Sequence, residues 1–134
     1  IFGFNLRDGG SNFDATITST SFYSGHNEDN SATGLTYNSG QDLAQSTNQK
    51  RLGDTGNAND ESLCCTMYLF NPSSTTFVKH FIATIACTDG YDYAMHHFNA
   101  GYANVTAAID GIRFTFSAGT IDAGTIKMYG LSKS

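Results

Sequence analysis

Four histidines are the side chains of this sequence best suited to metal binding or proton transfer: His26, His80, His96 and His97. His96 and His97 are neighbours in a strand-like segment, where adjacent side chains point to opposite faces. One metal ion therefore cannot take both from regular strand geometry. A two-histidine site that joins His80 and His96 across strands stays open as an alternative. Ordinary exposed or half-buried histidines are the simpler interpretation, and no metal site is predicted.

Catalytic patterns are weak throughout the chain. The sequence has no GxSxG, HExxH or phosphate-binding glycine loop. A glycosidase needs two carboxylates about 5 to 9.5 Å apart, and the spacing of Asp14, Asp89, Asp92 and Asp110 favours no pair. The sequence therefore predicts a protein without enzymatic activity and without a cofactor.

Two acidic segments offer the oxygen ligands that calcium prefers, HNEDNSATG at residues 26–34 and GDTGNANDE at residues 53–61. Neither has the spacing of an EF-hand. We interpret both as solvated loops, and calcium binding remains the alternative.

The three cysteines are Cys64, Cys65 and Cys87. An odd count without a CxxC pair indicates neither a disulfide framework nor a zinc site. A disulfide from Cys64 or Cys65 to Cys87 across neighbouring strands is one alternative. Reduced thiols that pack as small hydrophobic side chains are the favoured interpretation.

Aromatic and basic side chains are the candidates for binding. Tyrosines cluster in GYDYAMHHFNAGY, where exposed rings beside Asn and Asp would stack on a sugar or pack against a protein. Alternating aromatic residues on a strand are also typical of a core, so both interpretations stay open. The predicted contact residues are Tyr37, Lys50, Arg51, Tyr91, Tyr93 and Tyr102.

The size and charge of the chain narrow the class of protein. A length of 134 residues suits a single domain, with a formal net charge of -5 and only 14% charged residues. This balance argues against nucleic acid and anionic membranes as partners, because both attract basic surfaces. No apolar run reaches the ~20 residues of a membrane helix. The chain opens inside a strand-like pattern without Met, so we expect it to be the C-terminal part of a longer protein.

Strand periodicity dominates the whole sequence, and turn residues separate the apolar runs at short intervals. This pattern predicts an all-β fold, an antiparallel β-sandwich of the jelly-roll kind. One polar stretch, residues 24–61, is predicted to be a long loop with a short strand near Leu35 and Tyr37. The loop either makes surface contacts or is a plain insertion. The predicted strands are residues 1–6, 15–23, 62–70, 76–87, 92–99, 109–116 and 124–131.

The last two predicted strands form a terminal hairpin. By alternation, Ile112, Phe114 and Phe116 face the core, and Ile126 and Met128 match them from the partner strand. Such a hairpin would close the sandwich and hold the terminus down.

The C-terminal sequence, IDGIRF, then SAGTI, then AGTIKMYGL, resembles the closing signature of a family of tailed-phage structural proteins. Leu69-Phe70-Asn71-Pro72, the opening IFGFNL and the turn GSNFD resemble other parts of the same family. The resemblance covers about half of the chain, and residues 24–61 lie outside it. It implies a virion component with a β-sandwich fold and no enzymatic activity, often displayed as a trimer.

These observations lead to an expected function. We expect a non-enzymatic module of a phage tail fibre or appendage, located on the virion, that contacts a host-surface glycan or protein and other virion proteins. The alternatives are a capsid decoration or head-fibre protein that binds other virion subunits, and a carbohydrate-binding module.

Overall fold

A computed structural model describes residues 1–131 of the chain. Over those residues the structure contains nine β-strands and no helix. None of its segments is thus a long apolar helix of the kind that spans a membrane. The strands are β1 (Phe2–Arg7), β2 (Ile17–Asn27), β3 (Thr33–Tyr37), β4 (Leu43–Ser46), β5 (Lys50–Gly53), β6 (Leu63–Leu69), β7 (Lys79–Thr88), β8 (Tyr93–Ala103) and β9 (Gly111–Phe116).

Two antiparallel sheets pack face to face, which confirms the predicted β-sandwich. The larger sheet has the order β3-β2-β8-β7-β6, and β4 pairs with the same edge of β2 as β3. The smaller sheet has the order β5-β1-β9. Long strands β2, β7 and β8 form the middle of the larger sheet, because their alternating side chains bury one complete face.

The core lies between the two sheets. Phe4 of β1 meets Phe81 of β7 edge to face at 5.1 Å between ring centroids. Phe2 stacks on Phe114 of β9 at 5.8 Å. The remaining fully or nearly buried hydrophobic side chains are Leu6, Ala15, Ile17, Leu52, Ala83, Ile85, Cys87 and Ala103.

Buried and paired charges hold the loop that leads into β9. Lys79 is fully buried, and its Nζ donates hydrogen bonds to the carbonyl oxygens of Val105 and Thr106 at 3.0 and 2.9 Å. Arg7 forms an ion pair with Asp110 at 2.9 Å. These contacts fix the start of β9 beside β1.

The segment 24–61 is not the single loop that the sequence predicted. β2 continues to Asn27, and β3, β4 and β5 follow within the segment. The short strand near Leu35 and Tyr37 is confirmed as β3. The polar composition misled the prediction, because these strands are stabilised by pairing with β2 and β1 and not by their own apolar pattern.

The predicted terminal hairpin is also wrong. β9 forms where expected, and Ile112, Phe114 and Phe116 pack against the core. Its partner is β1, with Phe2 opposite Phe116, and not residues 124–131. Those residues form no strand, and Ile126 and Met128 are 58% and 81% exposed. The N-terminal strand takes the place beside β9 because its phenylalanines complete the core.

Candidate functional site

The outward side of the larger sheet is the most distinctive surface of the molecule. Strand alternation divides β7 into buried inward residues and exposed outward residues, and β8, β2 and β6 follow the same division. We call the outward side the aromatic face. Its large side chains are Phe22, Leu35, Tyr37, Tyr68, Phe70, His80, Ile82, His96, Phe98 and Tyr102.

Rings on the aromatic face support one another across the strands. Phe22 and Phe98 stack nearly parallel across β2 and β8, with centroids 4.9 Å apart, and His96, on the same strand as Phe98, lies 4.1 Å from it. His80 and Tyr102 form a second pair at 5.8 Å. Cross-strand ring pairs of this kind stabilise the sheet and hold each ring in place. The face is therefore rigid before any partner arrives.

Several of these side chains still meet solvent. Tyr37 is 59% exposed, Tyr68 is 54% exposed and Ile82 is 50% exposed. Large exposed aromatic and aliphatic side chains on one side of a sheet are a feature that interaction sites often share.

The aromatic face carries no Asp, Glu, Lys or Arg on its five described strands. Its ionisable side chains other than tyrosine and cysteine are the histidines His26, His80 and His96. Threonine and serine hydroxyls fill the positions between the rings, among them Thr20, Thr66 and Thr84. A partner that covers this face removes no full carboxylate or ammonium charge from water, so desolvation opposes binding only weakly.

An open, shallow depression lies at one end of the aromatic face. Its volume is 590 Å³, and Ser24, Cys64, Ala86 and His96 are among its lining residues. A shallow hollow of this kind suits a protruding side chain of a partner better than an enclosed small ligand.

A buried polar cluster lies on the opposite, inward side of the same sheet. Lys50 is fully buried, and its Nζ donates to Gln41 O, Arg51 O and Asn99 Oδ1 at 2.8, 2.7 and 2.8 Å. Asn99 in turn donates to Leu52 O at 2.8 Å. Burial lowers the pKa of Lys50 to about 8, and the charge of Asp42 opposes this shift. Because every donor of the ammonium has an acceptor, the cluster ties β5 to β8.

His97 belongs to the same interior. The side chain is fully buried against Tyr23, and neither ring nitrogen has a hydrogen-bond partner among the described residues. Burial lowers the pKa of His97, and the nearby carboxylate of Asp54 acts in the opposite direction. A neutral histidine without access to solvent is poorly placed for catalysis.

The structure does not bring the six predicted contact residues together. Tyr37 and Tyr102 lie on the aromatic face. Tyr91 is 82% exposed in the turn between β7 and β8. Tyr93 lies on the inward side, where it approaches Gly25.

The two basic candidates, Arg51 and Lys50, are neighbours on β5 with opposite environments. Arg51 is exposed, whereas Lys50 is wholly enclosed. Lys50 therefore has no surface to offer a partner, which corrects its assignment as a contact residue.

Sequence reasoning missed most of the aromatic face, including Phe22, Tyr68, Ile82 and Phe98. A signal was present in SLCCTMYLF and TFVKHFIATIAC, where both alternating sets of residues contain large apolar side chains. Strands with this pattern are typically covered on both faces. In this chain the smaller sheet covers one face of these strands, and the described residues form no layer over the other face.

The metal and disulfide alternatives find no support in the described part of the chain. His80 and His96 share the aromatic face, but the pairing of His96 with Ala86 places them six positions apart along β7, or about 20 Å. Residues 1–131 contain no group of three His, Cys, Asp or Glu side chains that could hold a metal ion. All three cysteines are free thiols. Burial raises the pKa of Cys87 to about 12, so this thiol is unreactive at neutral pH.

The chain has no match among protein-family models, curated proteins or solved structures.

Proposed function

We propose that this chain is a non-enzymatic structural module of a tailed-phage particle, part of a tail fibre or appendage, and that its aromatic face contacts a protein on the host surface. The aromatic face is the observation that carries the contact role. The resemblance of the C-terminal sequence to tailed-phage structural proteins is the reason for placing the module on a virion.

The physical properties of the face favour a protein over a charged or small partner. Its rings are fixed by strand pairing, so binding costs little side-chain entropy. Tyrosine, phenylalanine and histidine are amphipathic or apolar groups that contribute strongly to protein interfaces. Aliphatic Leu35 and Ile82 extend the surface beyond the rings, and an aliphatic side chain offers a sugar no hydrogen bond. An uncharged rigid surface is therefore best matched by an apolar patch of another protein.

The test measures binding of the labelled purified chain to cells of the bacterium that the parent phage infects. We expect saturable binding that protease treatment of the cells removes and that periodate treatment, which oxidises sugars, leaves intact. A double variant, Tyr68→Ser with Ile82→Ser, should weaken binding at least tenfold, because both side chains are at least half exposed and lie side by side on the face.

Tyr91→Ser is the matched control for this experiment. It removes an exposed tyrosine from the β7–β8 turn and leaves the strands of the aromatic face unchanged. Binding of the control should equal that of the unaltered chain. Equal binding by the Tyr68→Ser, Ile82→Ser variant would contradict the contact role, and loss of binding after periodate alone would assign the partner as a glycan.

A capsid decoration or head-fibre role is the second candidate, and the apolar character of the face favours it. A face without charges also suits permanent packing against another virion subunit. Cryo-electron microscopy of the parent particle separates the two roles. An aromatic face that points outward at an appendage tip supports host contact, whereas a face packed on a virion subunit replaces host contact with assembly.

A further inference from the structure

We propose that residues 124–131 of one copy of this chain add as a fourth strand to the free edge of β9 in a second copy. The proposal goes beyond the function proposed above, because it concerns a different side of the molecule. It rests on a donor segment and an acceptor edge that each chain carries.

The donor segment has the pattern of a strand but lacks a partner. Residues 118–131 make no backbone hydrogen bond with any residue of the described chain. In an extended conformation Ile126 and Met128 share one side, and Thr125, Lys127 and Tyr129 share the other. Met128 is nevertheless 81% exposed, and Ile126 is 58% exposed. A strand that is apolar on one side and polar on the other needs a sheet to cover its apolar side.

The acceptor edge is the outer side of β9. Within the described residues β9 pairs only with β1. Ser117 donates its backbone N–H to Ile1 O at 2.8 Å, so by alternation the odd-numbered residues of β9 point their backbone groups to β1. The N–H and C=O groups of Ile112, Phe114 and Phe116 therefore point away from β1, and such an unpaired row is a template for another strand.

The sandwich is open beside this edge. The contact of Phe4 with Phe81 places β1 over β7, and a hydrogen bond of 2.8 Å from Ile109 N to Pro72 O places the start of β9 near the end of β6. The inward side chains of both edge strands are incompletely covered: Ile112, Phe114, Phe116, Leu63, Met67 and Leu69 are only partly buried, and Cys65 is exposed. A fourth strand beside β9 would cover these side chains with Ile126 and Met128.

A second copy is the occupant that the structure favours. The chain leaves β9 at Ser117, and every residue from there through Leu131 is exposed. Neither the donor segment nor the outer edge of β9 therefore has a strand partner among the described residues. Each copy offers one donor and one acceptor. Reciprocal exchange would close a dimer, and head-to-tail donation would close a ring such as a trimer.

The first test measures the mass of the intact chain in solution by light scattering over a range of concentrations. We expect a multiple of 14.4 kDa. Met128→Asp places a charge on the apolar side of the donor and should yield folded monomers, whose circular dichroism spectrum differs only by the loss of one short strand. Lys127→Asp, on the polar side of the same segment, is the matched control and should keep the oligomer.

A monomeric unaltered chain would overturn the proposal, and so would an oligomer that survives Met128→Asp. The Tyr68→Ser, Ile82→Ser variant of the aromatic face should also keep the oligomer. Dissociation of that variant would assign the interface to the aromatic face and exclude strand exchange as its cause.

The second test cross-links the donor segment of one chain to strand β9 of another chain through an engineered disulfide. Both proteins also carry Cys64→Ser and Cys65→Ser. One protein carries Thr115→Cys on β9, and the other carries Thr125→Cys, Lys127→Cys or Tyr129→Cys, because these three residues share the polar side of the donor. After co-refolding and mild oxidation, one of the three pairs should form a disulfide-linked heterodimer. Asp60→Cys in an exposed loop is the control and should not cross-link. A chain with both cysteines that closes on itself as a monomer would overturn the proposal in favour of an internal hairpin.

Discussion

His97 shows at the scale of one residue how the interior sets the stability of this protein. Its ring is buried with two unpartnered nitrogens, next to a cluster in which Lys50 and Asn99 are fully hydrogen-bonded. A protonated His97 would add a second cation to an interior that already holds Lys50. Burial is the main cause of its lowered pKa, and the charge of Lys50 adds to it.

This arrangement predicts that acid lowers the stability of the folded protein. The folded pKa of His97 lies below the ordinary value of 6.5, so between the two values the unfolded chain binds a proton that the folded chain does not. The free energy of unfolding should therefore fall as the pH drops through 6.5, by up to about 1.4 kcal/mol per pH unit. Urea unfolding at pH 7.5, 6.5 and 5.5 measures this dependence.

His97→Leu should flatten that pH dependence and leave stability at pH 7.5 unchanged or higher, because it replaces unpartnered nitrogens with apolar atoms of similar volume. His80→Leu on the exposed aromatic face is the control and should retain the full decrease. An identical decrease in the His97→Leu protein would show that other groups cause the acid sensitivity.

Strand β1 holds the smaller sheet together at the scale of elements, since β5 and β9 pair with its two edges. The register between β1 and β5 shifts at Phe2 and Gly3. A Cβ added to Gly3 would lie 2.4 Å from Lys50 O and 2.9 Å from Gln49 Cδ. The Lys50 carbonyl oxygen is a backbone atom and cannot yield at such a distance, so glycine is required where β1 and β5 approach closely.

Gly3→Ala should therefore lower the free energy of unfolding by about 2–3 kcal/mol, the cost of overpacking a close contact. Gly34→Ala in β3 is the matched control, because a Cβ there meets nothing within 4 Å. Its effect should stay within about 0.5 kcal/mol. Chemical denaturation of both variants measures the difference, and equal stabilities would contradict the close approach of β1 and β5.

Sequence patterns predicted the long strands well because each carries its own apolar alternation. β7 has buried residues at every second position, and the prediction for residues 76–87 matched most of it. β5 escaped prediction because two of its three buried residues are Lys50 and Gly53, which read as surface or turn residues. The last predicted strand, residues 124–131, failed for another reason: its pattern is that of a strand, but no described residue pairs with it.

The candidate site could be predicted from the sequence only in part, because contacts between distant residues decide which face of a strand is exposed. Tyr37 and Tyr102 were among the predicted contact residues, because a tyrosine ring can both stack and hydrogen-bond, whereas Phe22 and Phe98 were not. Which face of a strand is covered depends on where the second sheet sits, and that placement is decided by distant pairs such as Phe4 with Phe81.

Two surfaces of the molecule are left uncovered by the described residues, and they lie on different sides. The aromatic face is the outward side of the larger sheet, and the open side lies between β9 and β6. A particle component that assembles through one side and binds through the other would keep its contact surface free in the assembled state. Substitutions on one surface should then leave the function of the other unchanged.

Hydrogen exchange of the intact protein provides the last prediction. Strands β1, β2, β7 and β8 are hydrogen-bonded on both edges, so their amides should exchange most slowly in every variant. In the oligomer, the amides of Ile112, Phe114 and Phe116 and alternate amides of residues 124–131 should be protected, because strand exchange pairs them. In the Met128→Asp monomer the same amides should exchange at rates near those of an unfolded chain. Strand β3, an exposed edge far from the exchange, is the internal control and should exchange equally in both proteins. Rapid exchange of residues 124–131 in the oligomer would mean that the copies associate without strand exchange.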